Sequence, residues 1–291
     1  MNEFRLKGQL VDLHQESIYA AEIEVKNGRI CRIQKLQPDS SLPFILPGFI
    51  DAHVHIESSM LIPTEFARMA VCHGSIATIS DPHEIANVCG MEGIRFMIEN
   101  GKKTPFKFFF GAPSCVPATP FETAGATIQV ADIHQLMEDP DIHYLAEMMN
   151  WPGTLARDPQ VMAKIDLAHR YGKPVDGHAP GLRGEQAAHY AAAGISTDHE
   201  CFSYEEARDK ADIGMKIAIR EGSAAKNFDA LIDLIDTHPD QVMFCSDDKH
   251  PDYLAISHID ELVRRAIAKG KALFPVLRAA CLNPILTINC R

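Results

Sequence analysis

The 291-residue sequence predicts an α/β fold: a (β/α)8 TIM barrel preceded by a small, incomplete β-sandwich subdomain. Three observations lead there. The length suits a barrel of roughly 250 residues with a small accessory piece. From about residue 45 onward, short apolar segments alternate with longer stretches of helical character, the rhythm of repeated βα units on a parallel sheet. Most of those apolar segments also end in a polar residue, and the C-terminal strand ends are where a barrel carries its chemistry. A doubly wound open sheet would also fit the alternation; the strand-end chemistry favours the barrel.

Residues 1–44 form the accessory piece. Strands are expected over 4–11, 19–26 and 29–35, with Asn27-Gly28 as the hairpin turn between the last two. The barrel occupies 45–291, with strands at 45–56, 75–80, 106–111, 143–149, 174–178, 195–199, 215–220 and 242–246. Helices at 91–100, 159–171, 184–193, 225–237 and 256–269 carry apolar residues at three- and four-residue spacing.

The net charge of -11 disfavours a nucleic-acid partner, because a diffuse negative field repels a polyanion unless a basic patch overrides it. Lys102, Lys103 and Lys107 are bounded by apolar residues and read as a solvated loop entering a strand. No run approaches the roughly 18 apolar residues of a membrane span, and the polar N-terminus lacks the apolar core of a signal peptide, so a cytoplasmic protein is expected. Eight cysteines without a C-x-x-C pair point to reduced, mostly buried thiols.

The chemistry gathers at the strand ends. His53 and His55 lie two apart on one strand, so their side chains share a face roughly 7 Å apart along the backbone. They could converge on one ion, although two half-buried histidines with hydrogen-bond partners would give the same pattern. Glu147 is a carboxylate among apolar neighbours and needs a cation or donors. The fifth strand ends in Asp176-Gly177-His178, the sixth in Asp198-His199-Glu200 and the eighth in Ser246-Asp247-Asp248-Lys249-His250. Four histidines and two carboxylates on five strands suit a pair of divalent ions bridged by a carboxylate. His83-Glu84 begins like a zinc-protease H-E-x-x-H pattern, but Asn87 stands where the second histidine belongs. A P-loop, a G-x-S-x-G elbow, a G-x-G-x-x-G turn and the cytidine-deaminase signature are all missing.

The stretch Leu46-Pro47-Gly48-Phe49-Ile50-Asp51-Ala52-His53-Val54-His55 resembles the opening motif of the amidohydrolase superfamily, whose metal site follows the same order of H-x-H, strand-four ligand, His, His and Asp. Within it, His55-Ile56-Glu57-Ser58-Ser59-Met60, Asp81-Pro82-His83-Glu84-Ile85-Ala86-Asn87, Gly177-His178-Ala179-Pro180-Gly181 and Ser246-Asp247-Asp248-Lys249-His250-Pro251 resemble the adenine deaminases. The likeness runs from about residue 20 to residue 284. Residues 142–150 contain no lysine for the carboxylated-lysine bridge of many superfamily members; Glu147 fits the adenine deaminase pattern, in which a glutamate takes that role.

The resemblance implies hydrolytic deamination of adenine to hypoxanthine and ammonia, a purine-salvage reaction. Two divalent ions, manganese or iron, would hold the attacking hydroxide. His53 and His55 would hold one ion and His178 and His199 the other, with Glu147 bridging and Asp247 beside the first as general base and then general acid. Asp81, His83 and Glu84 would bind substrate or a further ion, or else serve the start of the following helix. Lys249 and His250 would contact the purine or be solvated loop residues. The expected partner is a small purine, in a possible homo-oligomer. Another amidohydrolase, cleaving a cyclic amide or N-acyl group, would share the metals.

Related enzymes continue well beyond Leu282-Asn283-Pro284, whereas this chain stops at Arg291. The expectation is therefore a chain whose C-terminal continuation is missing, whose N-terminal strands lack partners and which is poorly stable or inactive.

Overall fold

The computed structural model describes residues 3–119 and 121–288, in two compact units divided after Gly48. In the first, β1 (Glu3–Asp12), β2 (Ser17–Lys26), β3 (Arg29–Lys35) and β4 (Phe44–Ile45) form one sheet in the order β3-β2-β1-β4. Asn27 and Gly28 take φ of 51° and 74°, the backbone that a two-residue hairpin turn requires. A sandwich needs a second layer, and the described residues of this unit form a single sheet.

The second unit is an α/β TIM-barrel-like fold. Its strands are β5 (Phe49–Val54), β6 (Ser75–Ser80), β7 (Lys107–Ala112), β8 (Ile142–Met148), β9 (Val175–Gly177), β10 (Thr197–Asp198), β11 (Lys216–Arg220) and β12 (Val242–Cys245). All pair in parallel, as runs β5 to β9 and β10 to β12. Single bridges between Val175 and Ile195 and between Val54 and Asp247 join the two runs. Each of the eight predicted strands overlaps one of these.

β9 and β10 are shorter than predicted because side chains take over the backbone groups there. The Gly177 N–H donates to Thr197 Oγ1 at 3.1 Å and the Ala179 N–H to Asp198 Oδ1 at 3.0 Å. A Cβ on Gly177 would collide with the Thr197 carbonyl, so glycine lets the strands carrying His178 and His199 approach.

Helices Pro159–Arg170 and Gly184–Ala192 form as expected, the first capped by Asp158. Three expectations are corrected. The helix placed at 91–100 begins at His83 and breaks at Gly90, whose φ is 61°. The helix placed at 225–237 shrinks to Phe228–Leu231 and a 3-10 turn, Ile232–Asp236, because Asn227 is tied elsewhere: its amide nitrogen donates to the carbonyls of His199 and Cys201. The helix at 256–269 is confined to Ile259–Ala268 and a separate, unexpected helix, Pro251–Ile256, precedes it, since the His258 ring between them turns inward to bond Ser75 and Asp51. The main core packs residues such as Phe66, Ile94, Leu145, Ile165 and Tyr190 around β5 to β9.

Candidate metal centre

His53 and His55 leave the end of β5 with their rings already oriented. The His55 Nδ1 lies 3.0 Å from the Asp81 carbonyl oxygen, which can only accept, so this nitrogen carries the proton. His53 Nδ1 is likewise held by Asp176 Oδ2 at 2.9 Å. In the neutral rings both Nε2 atoms are therefore bare, yet they face each other at 3.2 Å, with Asp247 Oδ1 at 3.2 Å from one and 3.7 Å from the other. Three electron-pair donors converging in a buried space need a cation between them, a proton or a metal ion.

Glu147, near the end of β8 and 2% exposed, extends the centre. Its Oε1 faces His55 Nε2 and His83 Nδ1, each at 3.4 Å. Its Oε2 faces His178 Nδ1 at 2.6 Å and His199 Nε2 at 3.3 Å. Burial disfavours the ionised carboxylate, but hydrogen bonds from His178 and His199 outweigh it and hold Glu147 well below the usual carboxylate range. Asp247 behaves alike: burial opposes its charge, and His55 with the neighbouring imidazoles overcomes it. His55 is correspondingly raised despite burial, by Asp247 and Glu147. The pocket favours positive charge at its middle.

Asp247 sits at φ 53°, in the left-handed region that aspartate enters more readily than most residues. Backbone bonds fix it there: its N–H donates to the His53 carbonyl and its carbonyl accepts from the His55 N–H. Donor atoms of His53, His55 and Asp247 lie within 4.8 Å of one another, as do those of Glu147, His178 and His199, and those of His55, Asp81, His83 and Glu147. This donor set fits divalent metal ions.

His83 is the second residue past Asp81 and turns into the cluster from the first turn of its helix, where Glu57 Oε1 rather than His83 or Glu84 accepts from the Ile85 N–H at 3.1 Å. Glu84 lines the cavity and accepts from Ser58 Oγ. Lys249 and His250 do not line it. Lys249 is buried, with its amine 3.5 Å from the Glu221 carbonyl, and His250 is exposed at the start of the helix Pro251–Ile256. Lys249 is therefore not the solvated loop residue of the second alternative.

Three residues to which the sequence assigns no role belong to the site. Asp176 orients His53; Glu200 stands 3.4 Å from His199 Nε2; Arg220, ending β11, pairs with Glu200 and with Asp247 Oδ2. Asp176, like His178, lies near the end of its strand, and Arg220 terminates an apolar run as the ligands do, which were the available signals.

The site cavity measures about 320 Å³ and is lined by His55, His83, His178, His199, Glu147, Met149, Phe202, Arg220 and Asp247, within the size of small-molecule pockets, while His53 lies behind this lining. A larger cavity of about 690 Å³ lies under the loop after β7 and contains none of the donor residues. No helix among the described residues is long and apolar enough to cross a membrane.

The chain is 60% identical over 284 residues to an adenine deaminase of Salinibacter ruber and 54% identical over 279 residues to one of Methanosarcina mazei. These matches take in 97% and 96% of this chain but only 52% and 50% of the relatives; the chain spans about half the length of the curated relatives it matches. Among solved structures, an N-acetyl-D-glucosamine-6-phosphate deacetylase from Mycobacterium smegmatis aligns with a TM-score of 0.68 at 14% identity, over 98% of this chain and 90% of that one. A β-aspartyl dipeptidase from Fervidobacterium islandicum gives 0.65 at 16%, over 96% and 85%. At such identities these likenesses show the fold alone. The family model for amidohydrolases matches residues 44–290, which include the barrel strands and the whole donor cluster, and the chain thus belongs to the amidohydrolase family.

Proposed function

We propose that this chain is the catalytic barrel of an adenine deaminase, which hydrolyses adenine to hypoxanthine and ammonia with two divalent ions, manganese or iron. The observation that carries the reading is the placement of Glu147, one oxygen toward His55 and His83 and the other toward His178 and His199, the disposition expected of a bridging carboxylate. The relatives named adenine deaminase support the substrate.

His53 and His55 would hold one ion, with Asp247 beside it, and His178 and His199 the other. Bound ions of this kind lower the pKa of water and polarise the group under attack. Asp247 Oδ1 faces the H-x-H pair and would take the proton of the attacking water and return it to the ring or the departing amine. Asp81 and His83 would orient the first ion or hold a further one, and Glu84 would meet the substrate at the cavity wall. The N-terminal sheet would be part of a sandwich.

Ammonia release from adenine by manganese- or iron-loaded protein tests this, with cyclic amides as counter-substrates. Elemental analysis should find about two ions per active chain. Less than one ion per chain in manganese-supplemented protein, with no rescue by added ions, would refute the assignment.

A further inference from the structure

Arg220 ends β11 with 4% of its surface exposed. Its guanidinium donates to both oxygens of Glu200, at the end of the neighbouring β10, and through Nη1 to Asp247 Oδ2 at 2.6 Å, beyond the end of β12 on the other side. The fork therefore spans three consecutive strand ends. Its base is fixed as well: the Arg220 N–H donates to Asn227 Oδ1 at 2.7 Å, and the Asn227 amide holds the carbonyls of His199 and Cys201.

The consequence falls on Asp247. With Oδ2 occupied by the guanidinium, Oδ1 alone is turned to His55 and His53. Rotation of the carboxylate would break a charge-assisted hydrogen bond in a buried setting, so the two oxygens keep separate partners. A lysine amine is a point charge and cannot reproduce a planar fork that serves two carboxylates at once.

We propose that Arg220 is a positioning residue for the reaction, acting through Asp247: it masks Oδ2 and so presents Oδ1 to the centre. The inference rests on the proton-transfer role proposed above for Asp247, and the experiment separates the two. Arg220→Met and Arg220→Lys are compared with the unmodified chain in adenine kinetics, in Mn²⁺ content and in Mn²⁺ titration of the metal-free protein, each also in the Asp247→Asn background.

The expected result is retained Mn²⁺ stoichiometry and kcat per loaded chain lowered at least about tenfold, in line with the cost of a misplaced reacting group, with KM within about threefold. Arg220→Lys should recover part of the loss, and it carries the same comparison if the Met variant does not fold. Freed from its cation, Asp247 becomes a stronger ligand, so Arg220→Met should tighten Mn²⁺ binding by at least about threefold, a shift that vanishes in Asp247→Asn. Unchanged kcat overturns the proposal. So does a rise in KM alone, which marks substrate binding, or loss of Mn²⁺ with normal turnover of the loaded fraction, which marks a structural role. The titration needs no substrate: if the unmodified chain binds Mn²⁺ but releases no ammonia, the functional reading falls, and an equal Mn²⁺ shift in both backgrounds still decides against Arg220.

Discussion

Two buried acidic clusters lie side by side in this protein, and they are built on opposite principles. Asp198, Cys201 and Glu206 bring ligand atoms together as closely as the residues of the candidate metal centre do. Their middle, however, is filled by Lys210, whose amine lies 2.6 Å from Asp198 Oδ2, 2.8 Å from Glu206 Oε1 and 2.7 Å from the Ala179 carbonyl. That cluster is a closed ion network with its own cation. At Glu147, by contrast, among the described residues only imidazoles face the carboxylate, and the nearby cation Arg220 is engaged with Glu200 and Asp247. Proximity of acids does not make a metal site; an uncompensated centre does. The closed cluster also serves the open one, since Asp198 accepts from the N–H groups of Ala179 and Glu200, which flank His178 and His199.

The largest effect should come from Glu147→Gln, which removes the charge shared by both halves of the open cluster. Metal affinity should fall by more than the ten- to hundredfold typical of losing an outer partner, and turnover with it; equilibrium dialysis with Mn²⁺ reads this out, and an unchanged affinity would sever Glu147 from the metals. Asp247→Asn should instead retain most of its metal while turnover drops at least about a hundredfold, as for a removed general base. Near-normal deamination by that variant would remove Asp247 from the proton path.

The closed cluster should respond in stability. Lys210→Met leaves Asp198 and Glu206 buried without their cation, a loss of about 3–5 kcal/mol. A melting point lower by roughly 5–8 °C is expected at this chain length. Turnover per folded, metal-loaded chain should change far less. A melting point within a degree or two of the unmodified chain would show that Lys210 does not balance these acids.

The open cluster was largely legible in the sequence because each member stands at the end of an apolar run: His53, His55, Glu147, His178, His199 and Asp247 all meet in space. Arg220, Asp176 and Glu200 were passed over, since their roles depend on which strand ends face each other across the barrel, and residue spacing within one strand does not encode that. Lys210 was hidden differently. No element is expected from the sequence at the helix Tyr204–Asp212, which is rich in charge, yet Glu206 and Lys210 at i, i+4 turn inward onto Asp198. The helix expected at 225–237 failed for a related reason: local periodicity favoured it, and the long-range bonds of Asn227 prevailed.

The smallest effect sharpens the comparison through pH. Burial raises the Asp198 carboxyl, but the charge of Lys210, then that of His199, and hydrogen bonds outweigh it and bring the group down to about 2 from an ordinary 3.8. For an acid depressed in the folded state, the extra stability is complete above the unfolded value and disappears as pH falls through the folded one. The window therefore runs from about pH 4 to pH 2, and the shift corresponds to about 2 kcal/mol, of which roughly half is gone by pH 3. In Lys210→Met the depression has lost its main source, so acid has little to remove. The stability gap between the unmodified chain and Lys210→Met, measured by urea denaturation of metal-free protein, should thus narrow by about 1 kcal/mol between pH 6 and pH 3. The groups of the metal centre are common to both proteins and largely cancel in that difference. A gap that stays constant would mean that Asp198 is not held ionised by Lys210, and the contrast between a closed and an open cluster would have to rest on geometry alone.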